Sequence, residues 1–414
     1  MILLYRLGIL FYSVTAMLIS PFSSKAKLLV RGRRNSFRVI RDKRIQGDRY
    51  VWMHCASLGE FEQGRPVIEA IREKFPEFRI LLTFFSPSGY EVRKNYPGAD
   101  IVCYLPSDTG RNAAKLLDAV KPELVIFVKY EYWKYYLEAV AQRGIPLLLV
   151  SALFRREQIF FRWYGAFFRK ILENFSHIFV QDEGSAEKLE SLGVRNVTVS
   201  GDTRFDRVLE IAAAAKSISQ IESFRGSEKL FLAGSSWKPD EEIIVRYIND
   251  NPGRMKWVFA PHETDRANID RLVKLFRVKC VRFSEYGEGE KDARVMIIDN
   301  VGMLSSAYRY AYIAAVGGGF GRGIHNILEP ATWGVPVLFG PNHEKFREAL
   351  NLIYLGGAKS FSNYDEFRSV LEDLSENPAF YERSSLAASE YVRENAGATK
   401  KIMEWISSEV INSI

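Results

Sequence analysis

From residue 50 onward, short apolar runs rich in Val, Ile and Phe alternate with longer stretches whose apolar positions follow a helical period. The short runs predict buried strands, and the longer stretches predict helices between them. This alternation is typical of a parallel sheet covered by helices. The first series of predicted strands is 50–54, 79–85, 101–105, 124–130, 146–152, 177–181 and 197–201. The second series is 229–235, 256–261, 278–283, 294–299, 312–318 and 336–340.

A helical stretch rich in Ala and Ser separates the two series near residue 210. We therefore predict an α/β protein with two doubly wound, Rossmann-like domains. The predicted divisions are a membrane anchor over 1–24, a basic juxtamembrane arm over 25–49, a first domain over 50–208, a second domain over 209–395 and a C-terminal helix over 396–414 that crosses back to the first domain.

The N-terminal segment is apolar, and residues 7–22 carry no charge. At about 1.5 Å per residue this run is roughly 24 Å long, and about 31 Å with Arg6 reaching back to the surface, which is close to the thickness of a bilayer core. Basic residues follow the run instead of preceding it, a pattern that favours a retained anchor with the chain from residue 25 onward in the cytoplasm. Whether the segment spans the bilayer or lies in its interface stays open.

The chain's net charge of +7 is unevenly distributed. Residues 25–49 hold ten basic and two acidic residues, and from residue 50 onward 46 basic residues face 48 acidic ones. A nearly neutral body argues against nucleic acid as a partner, whereas the basic arm suits the anionic inner leaflet of a membrane. The three cysteines are scattered, which fits a reducing compartment.

Chemistry is expected in the loops that follow the strands, because ligands of doubly wound sheets bind beyond the carboxyl ends of the strands. Glu60 lies in such a loop, and two interpretations are open: Ser57 and Glu60 form a capping box, or Glu60 projects into a cleft as a general base. Glu131 follows another strand, where either an ion pair with Lys129 or a functional carboxylate is expected. Arg204 either pairs with a nearby aspartate or contacts an anion.

A glycine-rich loop follows the strand 312–318, and Gly318 and Gly319 belong to it. Glycines allow a backbone to approach a ligand closely, and the following helix start attracts anions, so we expect a phosphate site here. Asn326 is expected to cap that helix, with Glu329 three residues later. The spacing matches neither a dinucleotide fingerprint nor a P-loop.

Three further loops are candidates for ligand contact. Ser235 and Ser236 either bind phosphate or cap the next helix, His262 follows a strand, and Gly302 either allows close approach or forms a plain turn. Residues 153–170 combine Phe, Trp and Tyr with Arg and Lys, and we expect an amphipathic helix that either packs on the sheet as ordinary domain surface or, as we favour, suits the membrane boundary. The sequence contains no zinc-binding spacing, and we expect neither a metal nor a cofactor.

Five motifs together resemble the Kdo transferase family, whose members add 3-deoxy-D-manno-octulosonic acid (Kdo) from CMP-Kdo to the lipid A precursor. The motifs are ASLGEFEQGRP, KYEYW, GDTRFD, AGSSWKPDEE and GIHNILEPATWGVPVLFGP. The resemblance extends from the N-terminal segment to about residue 400. It implies a GT-B glycosyltransferase architecture, with the lipid acceptor on the first domain and CMP-Kdo on the second, in the cleft between them.

The resemblance also implies roles for particular residues. Glu60 matches the proton acceptor, and Glu131 and Arg204 match positions that support the transition state. The expected CMP contacts are Ser235, Ser236, Pro261, His262, Val301, Gly302, Met303, Gly318, Gly319, Asn326, Ile327, Leu328 and Glu329. Pro261 stands where the family commonly has Arg and Met303 where it has an acidic residue, so backbone contacts are expected at these two positions.

The expected reaction inverts the configuration of the transferred sugar, since Glu60 deprotonates an acceptor hydroxyl that attacks opposite the departing CMP. A single phosphate on the leaving group fits stabilisation by backbone amides and a helix end without a metal. The expected partners are CMP-Kdo, the tetraacylated lipid A precursor and the inner membrane in lipopolysaccharide biosynthesis. Two alternatives stay open: a nucleotide-sugar epimerase on the same fold, and a non-catalytic lipid- or nucleotide-binding membrane protein.

Overall fold

The computed structural model describes residues 1–410, and within them the chain forms two sheets of seven parallel strands each. The first sheet contains β1 (Arg49–Cys55), β2 (Phe78–Phe84), β3 (Ile101–Tyr104), β4 (Pro122–Val128), β5 (Leu147–Ala152), β6 (His177–Val180) and β7 (Val197–Val199). The second contains β8 (Leu230–Ser236), β9 (Lys256–Pro261), β10 (Cys280–Arg282), β11 (Val295–Ile297), β12 (Ile313–Val316), β13 (Val337–Phe339) and β14 (Ala358–Ser360).

Helices connect the strands and cover both faces of each sheet. In the first half they are α1 (Ile2–Ile19), α2 (Ser24–Lys43), α3 (Leu58–Lys74), α4 (Pro87–Arg93), α5 (Gly110–Val120), α6 (Lys134–Gln142), α7 (Ala166–Leu172), α8 (Glu183–Glu190) and α9 (Thr203–Ala213). The later ones are α10 (Ser219–Arg225), α11 (Lys238–Asp250), α12 (Arg266–Val273), α13 (Leu304–Ala307), α14 (Leu328–Thr332), α15 (Arg347–Leu355), α16 (Tyr364–Glu376), α17 (Pro378–Glu394) and α18 (Ala398–Trp405), with a π-helical turn at Ile406–Val410.

The strand orders are β3-β2-β1-β4-β5-β6-β7 and β10-β11-β9-β8-β12-β13-β14. Successive residues of a strand point to opposite faces, so the apolar runs of the sequence fill two cores at once. In β1, Tyr50 and Trp52 pack in one core, whereas Val51, Met53 and Cys55 pack in the other. The predicted α/β, doubly wound fold class is confirmed.

Two compact units divide the chain. The first unit comprises Met1–Arg207 together with the chain from Ala396 onward, and the second unit comprises Val208–Asn395. In the first unit, Ile402, Met403 and Ile406 pack in the core beside β1 and α3.

The basic segment 25–49 is largely helical and belongs to the body of the first unit. Its helix α2 buries Leu29, Ser36 and Ile40, and it approaches β3 so closely that a Cβ on Gly32 would lie 2.2 Å from the Tyr104 ring. Seven basic side chains of α2 are exposed away from these buried positions, whereas Arg33 packs over the rings of Tyr12 and Phe85. The basic charge predicted for a juxtamembrane arm is therefore carried mainly by a helix that packs on the first unit.

Residues 153–170 do not form the single amphipathic helix predicted from the sequence. Instead a 3-10 turn at Ile159–Phe161 precedes α7, and Phe160 is buried. Gly165 lets the chain turn here, since a Cβ on it would lie 2.0 Å from the Ile159 carbonyl oxygen. Arg169 closes the turn by donating to the carbonyls of Phe160 and Arg162.

Candidate functional site

The direction of winding reverses at one place in each sheet, between β1 and β4 and between β8 and β12. Such switch points leave a crevice at the carboxyl ends of the strands, where doubly wound proteins bind ligands. Glu60 and Glu131 follow β1 and β4, and Ser235 and Gly318 lie at the ends of β8 and β12. Both switch points therefore carry candidate residues predicted from the sequence.

Glu60 lies in the first turn of α3 and is partly exposed. Ser57 is the residue at the N-cap, but its hydroxyl donates to the Glu60 carboxylate and makes no capping bond to the backbone. The capping box considered from the sequence is therefore absent. The carboxylate is accessible and oriented by one hydroxyl, which leaves it able to accept a proton from a ligand.

Glu131 is almost buried, with 9% of its surface exposed, and both polar contacts of its Oε2 atom are to rings. The Nε2 atom of His54 lies 3.0 Å from Oε2, and the Trp133 indole donates to the same oxygen at 2.5 Å. His54 is fully buried, and its Nδ1 atom contacts the hydroxyl of Thr83 at 2.9 Å. The carboxylate is therefore fixed in direction by a network that originates in the strands.

Arg204 lies in the first turn of α9 and contacts Asp202, which is the local pairing considered from the sequence. Its backbone N–H and its guanidinium Nε both donate to the Asp202 carboxylate at 2.9 Å. Burial alone raises the pKa of that carboxyl, but the Arg204 charge and hydrogen bonds outweigh burial and hold the pKa below its usual value. Gln63 of α3 also donates to Asp202, at 3.1 Å, so α3 and the start of α9 are tied together.

The side chains around this end of the first sheet share one electrostatic environment. Burial raises the pKa of the Tyr130 phenol, and Arg155, Glu60, Arg204 and Asp202 all act on it through their charges. The pKa of the buried Cys55 thiol is likewise raised, first by burial and then by Glu60 and Glu131. The three predicted catalytic residues of the first unit therefore lie in one neighbourhood, at the carboxyl end of its sheet.

In the second unit, Asp240 connects the two loops of the switch point. Its Oδ2 atom accepts hydrogen bonds from the backbone N–H groups of Trp237 at 3.0 Å and Gly318 at 3.2 Å. Burial raises the pKa of this carboxyl to about 6, despite the two backbone donors that lower it. Asp240 thereby caps α11 and fixes the glycine-rich loop beside it.

Ser235 and Ser236 do not cap this helix, because α11 begins at Lys238 with Trp237 as its N-cap. The Ser236 hydroxyl donates instead to the buried Glu241 at 2.9 Å, and Glu241 also pairs with Arg271. Ser235 is partly exposed and adopts a left-handed conformation with φ of +49°. Of the two serines, only Ser235 presents its side chain near the surface.

A stack of three rings lies at the carboxyl ends of β8, β9 and β12. Trp237 stacks on His262 with ring centres 4.5 Å apart, and His262 stacks on His325 at 4.6 Å. The Trp237 indole donates to Nε2 of His325 at 3.0 Å. Burial, followed by the neighbouring His262, lowers the pKa of His325 and favours its neutral form. His262 is exposed, so its free edge is available to a ligand.

The glycine-rich loop is packed against the protein's own backbone. A Cβ on Gly317 would lie 2.3 Å from the Ser235 carbonyl oxygen, one on Gly318 2.5 Å from that of Gly323, and one on Gly319 2.6 Å from Gly340. Gly321 is exposed, and a Cβ on it would lie no closer than 3.6 Å to any neighbouring atom, the nearest being the Gly318 carbonyl oxygen. Close backbone packing therefore accounts for three of these glycines before any ligand is considered.

The N-cap of the helix after this loop is Ile327, one residue later than the expected Asn326. α14 begins at Leu328 with Ile327 as its N-cap, and the Asn326 side chain accepts from the Leu328 N–H at 3.2 Å. Asn326 also donates to Glu329, whose other oxygen accepts from Ser305. The side chains of Ile327 and Leu328 are buried, so these two residues offer only backbone groups to a ligand.

The remaining predicted contacts lie on loops of the second unit. Val301 is 84% exposed, Gly302 turns the chain with φ of +98°, and Met303 is the N-cap of the short helix α13. Pro261 is buried at the end of β9. Among residues 1–410 we find no cluster of three or more His, Cys, Asp or Glu that could hold a metal ion.

Sequence reasoning missed four side chains that organise these loops: His54, Trp237, Asp240 and His325. His54 and Trp237 stand in or beside apolar strands, where they read as core residues. Asp240 stands two residues after Lys238 in a charged run. The sequence shows at most that a polar residue stands at the end of an apolar strand. It does not show which residue of a neighbouring strand or loop that side chain contacts.

Comparison with known proteins identifies relatives of this chain. A family model described as 3-deoxy-D-manno-octulosonic-acid transferase (Kdo transferase) matches residues 31–207. A curated Kdo transferase of Aquifex aeolicus is 29% identical over 315 residues, covering 74% of this chain and 80% of that protein. One from Haemophilus influenzae is 24% identical over 365 residues, covering 86% of each.

Among solved structures, a UDP-GlcNAc 2-epimerase from Neisseria meningitidis is similar, with a TM-score of 0.62 and 18% identity over 87% of this chain and all of that one. At this identity the likeness concerns the fold, which is GT-B-like. The sequence matches point to one family: residues 31–207 match the Kdo transferase model, and most of the chain is similar in sequence to curated Kdo transferases.

Proposed function

We propose that this chain is an inverting glycosyltransferase that moves Kdo from CMP-Kdo to a sugar hydroxyl of the tetraacylated lipid A precursor in lipopolysaccharide biosynthesis. One observation carries the proposal. Glu60 and Glu131 follow β1 and β4 at the carboxyl end of the first sheet, and Arg204 is tied to α3 through Asp202 and Gln63. All three residues fall within the part of the chain matched by the Kdo transferase model.

In the proposed step, the Glu60 carboxylate takes the proton of the acceptor hydroxyl. The freed oxygen bonds to the anomeric carbon of Kdo, the bond from that carbon to the CMP phosphate breaks, and its electron pair leaves with CMP. Attack opposite the leaving group inverts the anomeric centre. Glu131, held by His54 and Trp133, and Arg204, held by Asp202, supply fixed charges near the base and need little reorganisation during the reaction.

The donor is assigned to the second unit. The exposed edge of His262, the partly exposed Ser235 and the exposed Gly302 turn are the groups that a nucleotide reaches most directly. Asn326 and the start of α14 add polar groups at the β8–β12 switch point. The proposal assigns CMP to these loops with no metal and no cofactor, because a single phosphate can be stabilised by hydrogen-bond donors alone.

The acceptor is assigned to the first unit, where a hollow of about 470 Å³ lies between α1 and the start of α5. Ile9 and Leu10 give it an apolar wall, and Arg6 and Arg111 add positive charge. Acyl chains and phosphate groups of a lipid precursor need this combination. The same chemistry supports a location at the inner membrane, with the catalytic units in the cytoplasm.

The test measures CMP release by the full-length chain in detergent. A Kdo transferase releases CMP at a substantial rate only when CMP-Kdo and the lipid A precursor are both present. Release without the acceptor would indicate hydrolysis, and isomerisation of a nucleotide sugar without release would indicate an epimerase. If neither occurs while CMP still binds, a non-catalytic binding protein becomes the better account.

A further inference from the structure

Helix α1 contacts the first unit along its whole length. Near its start, the Tyr5 hydroxyl donates to Asp108 at 2.5 Å, and in its second half Tyr12 stacks on Phe85 with ring centres 5.7 Å apart. In its last turn, the Met17 sulfur accepts a hydrogen bond from the guanidinium of Arg34 in α2 at 3.7 Å. Because both ends touch the same body, the helix axis runs along the surface of the first unit.

The opposite face of α1 is apolar and uncovered. Leu4, Leu7, Phe11, Val14 and Leu18 follow one another at spacings of three and four residues, which places them in one stripe. Leu4 is 64% exposed, Phe11 74% and Leu18 68%. An uncovered apolar stripe of this length marks a surface that meets another apolar phase.

A second exposed apolar group lies beside the start of α1. Trp163 is 91% exposed and Tyr164 is half exposed, in the turn that precedes α7. Phe167 of α7 contacts the Tyr5 ring, with centres 6.0 Å apart, so this turn neighbours the first turn of α1. Trp and Tyr are the side chains preferred at the boundary between headgroups and acyl chains.

The charge of α2 identifies the apolar phase as a membrane with anionic lipids. This helix follows α1 directly, and its exposed basic side chains are Lys25, Lys27, Arg31, Arg34, Arg38, Arg41 and Lys43. Asp42 is the acidic residue among them. Exposed Trp and Tyr side chains and a basic helix beside an apolar one are features that hold a protein surface against an anionic bilayer.

The length and contacts of α1 argue against a transverse helix. Its 18 residues would extend about 27 Å, close to the thickness of a bilayer core, so spanning would require nearly all of them to leave the protein surface. That would remove the Tyr5 partner of the buried Asp108 and the Phe85 contact of Tyr12. Lying flat keeps every contact and turns the exposed stripe toward lipid.

We propose that α1 does not cross the membrane but lies in the plane of its cytoplasmic leaflet, where its outer stripe and the Trp163–Tyr164 turn form one membrane-binding face and α2 contacts anionic headgroups. This proposal does not depend on the transferase reaction. It concerns which surface of the first unit meets lipid.

The first test is a topology measurement on the full-length chain in cells, with a hydrophilic cysteine-containing tag placed before Met1. We expect a membrane-impermeant maleimide to label the tag only after the cytoplasmic side is opened, and the untagged chain gives the background from Cys280, which is half-buried. Labelling in intact cells, at the level of a periplasmic control protein, would overturn the proposal. Recovery of the chain in the soluble fraction would overturn it too.

The second test uses vesicles of phosphatidylcholine and phosphatidylglycerol in equal amounts. Trp163→Ser is expected to weaken partitioning several-fold without unfolding the chain, because this side chain packs on little of the protein. Tyr354→Ser, at an equally exposed aromatic of the second unit, is the matched control and should leave partitioning unchanged. Equal partitioning of Trp163→Ser and wild type would contradict the proposed face.

Discussion

The Nε2 atom of His54 lies 3.0 Å from the Oε2 atom of Glu131, across the boundary between β1 and β4. Neither residue is near the other in sequence, and the parallel pairing of these two strands brings them together. On its other side, His54 contacts the hydroxyl of Thr83, which in turn accepts from the Trp52 indole at 2.8 Å. A chain of hydrogen bonds thus runs from the sheet interior to the proposed catalytic end.

This chain of bonds predicts a positioning role for His54. His54→Phe keeps the ring volume but leaves Glu131 without one of its two ring donors, and a misplaced group in a catalytic centre can cost about 10²-fold in turnover. The unpaired polar groups should also lower the free energy of unfolding by about 1–3 kcal/mol. Initial rates of CMP release and urea unfolding measure the two effects.

His177→Phe is the matched control, since His177 is half-buried in β6 of the same unit, hydrogen-bonds to Thr198 and packs on the rings of Phe179 and Trp405, which a Phe ring can also do. It should leave turnover nearly unchanged. The positioning role would be refuted if His54→Phe turned over like this control while Glu131→Gln was inactive.

The glycine-rich loop predicts a sharp difference between two alanine variants. In Gly319→Ala the new Cβ would lie 2.6 Å from Gly340, and relief of such overpacking typically costs about 1–3 kcal/mol. Gly321→Ala meets its nearest atom at 3.6 Å and should change the free energy of unfolding by less than about 0.5 kcal/mol. Urea unfolding of both variants, followed by circular dichroism, tests this difference, and equal midpoints would show that close packing does not explain Gly319.

The raised pKa of Asp240 predicts a dependence of stability on pH. The folded chain binds this proton more tightly than the unfolded chain, with a pKa of about 6 against 3.8, so the free energy of unfolding should fall as pH rises from about 4 to about 6. At about 1.4 kcal/mol per pKa unit the contribution is at most a few kcal/mol.

Asp240→Asn keeps an oxygen that accepts from Trp237 and Gly318 but loses the titration. Its unfolding free energy should therefore change less than that of wild type across this pH interval. Parallel profiles for the two proteins would mean that another group causes the dependence.

The pattern of apolar runs was enough to predict both sheets, because strands buried on both faces leave long runs such as Leu147–Ala152. The edge strand β14 (Ala358–Ser360) escaped prediction, since a three-residue strand with Lys359 at its centre has no such pattern. For the segment 153–170 the prediction of a single helix was wrong. Its apolar positions follow a helical period, but Gly165 and the buried Phe160 impose a turn before α7.

For the candidate site, the sequence predicted the loops but not the contacts within them. Glu60 and Glu131 could be found because they follow buried strands. Their partners could not: Ser57 bonds to the Glu60 carboxylate instead of the helix backbone, and His54 reaches Glu131 only through strand pairing. The roles of Gly317 and Gly319 likewise depend on which backbone lies opposite, a fact that local spacing does not contain.

The central claim, that Glu60 is the base of a Kdo transfer, is tested most directly by Glu60→Gln with CMP binding and transfer measured separately. Glu73→Gln, an exposed change on the same helix, is the control and should behave as wild type. We predict that Glu60→Gln folds and binds CMP normally but transfers Kdo about 10²- to 10⁴-fold more slowly. Turnover within a few-fold of wild type would contradict the account.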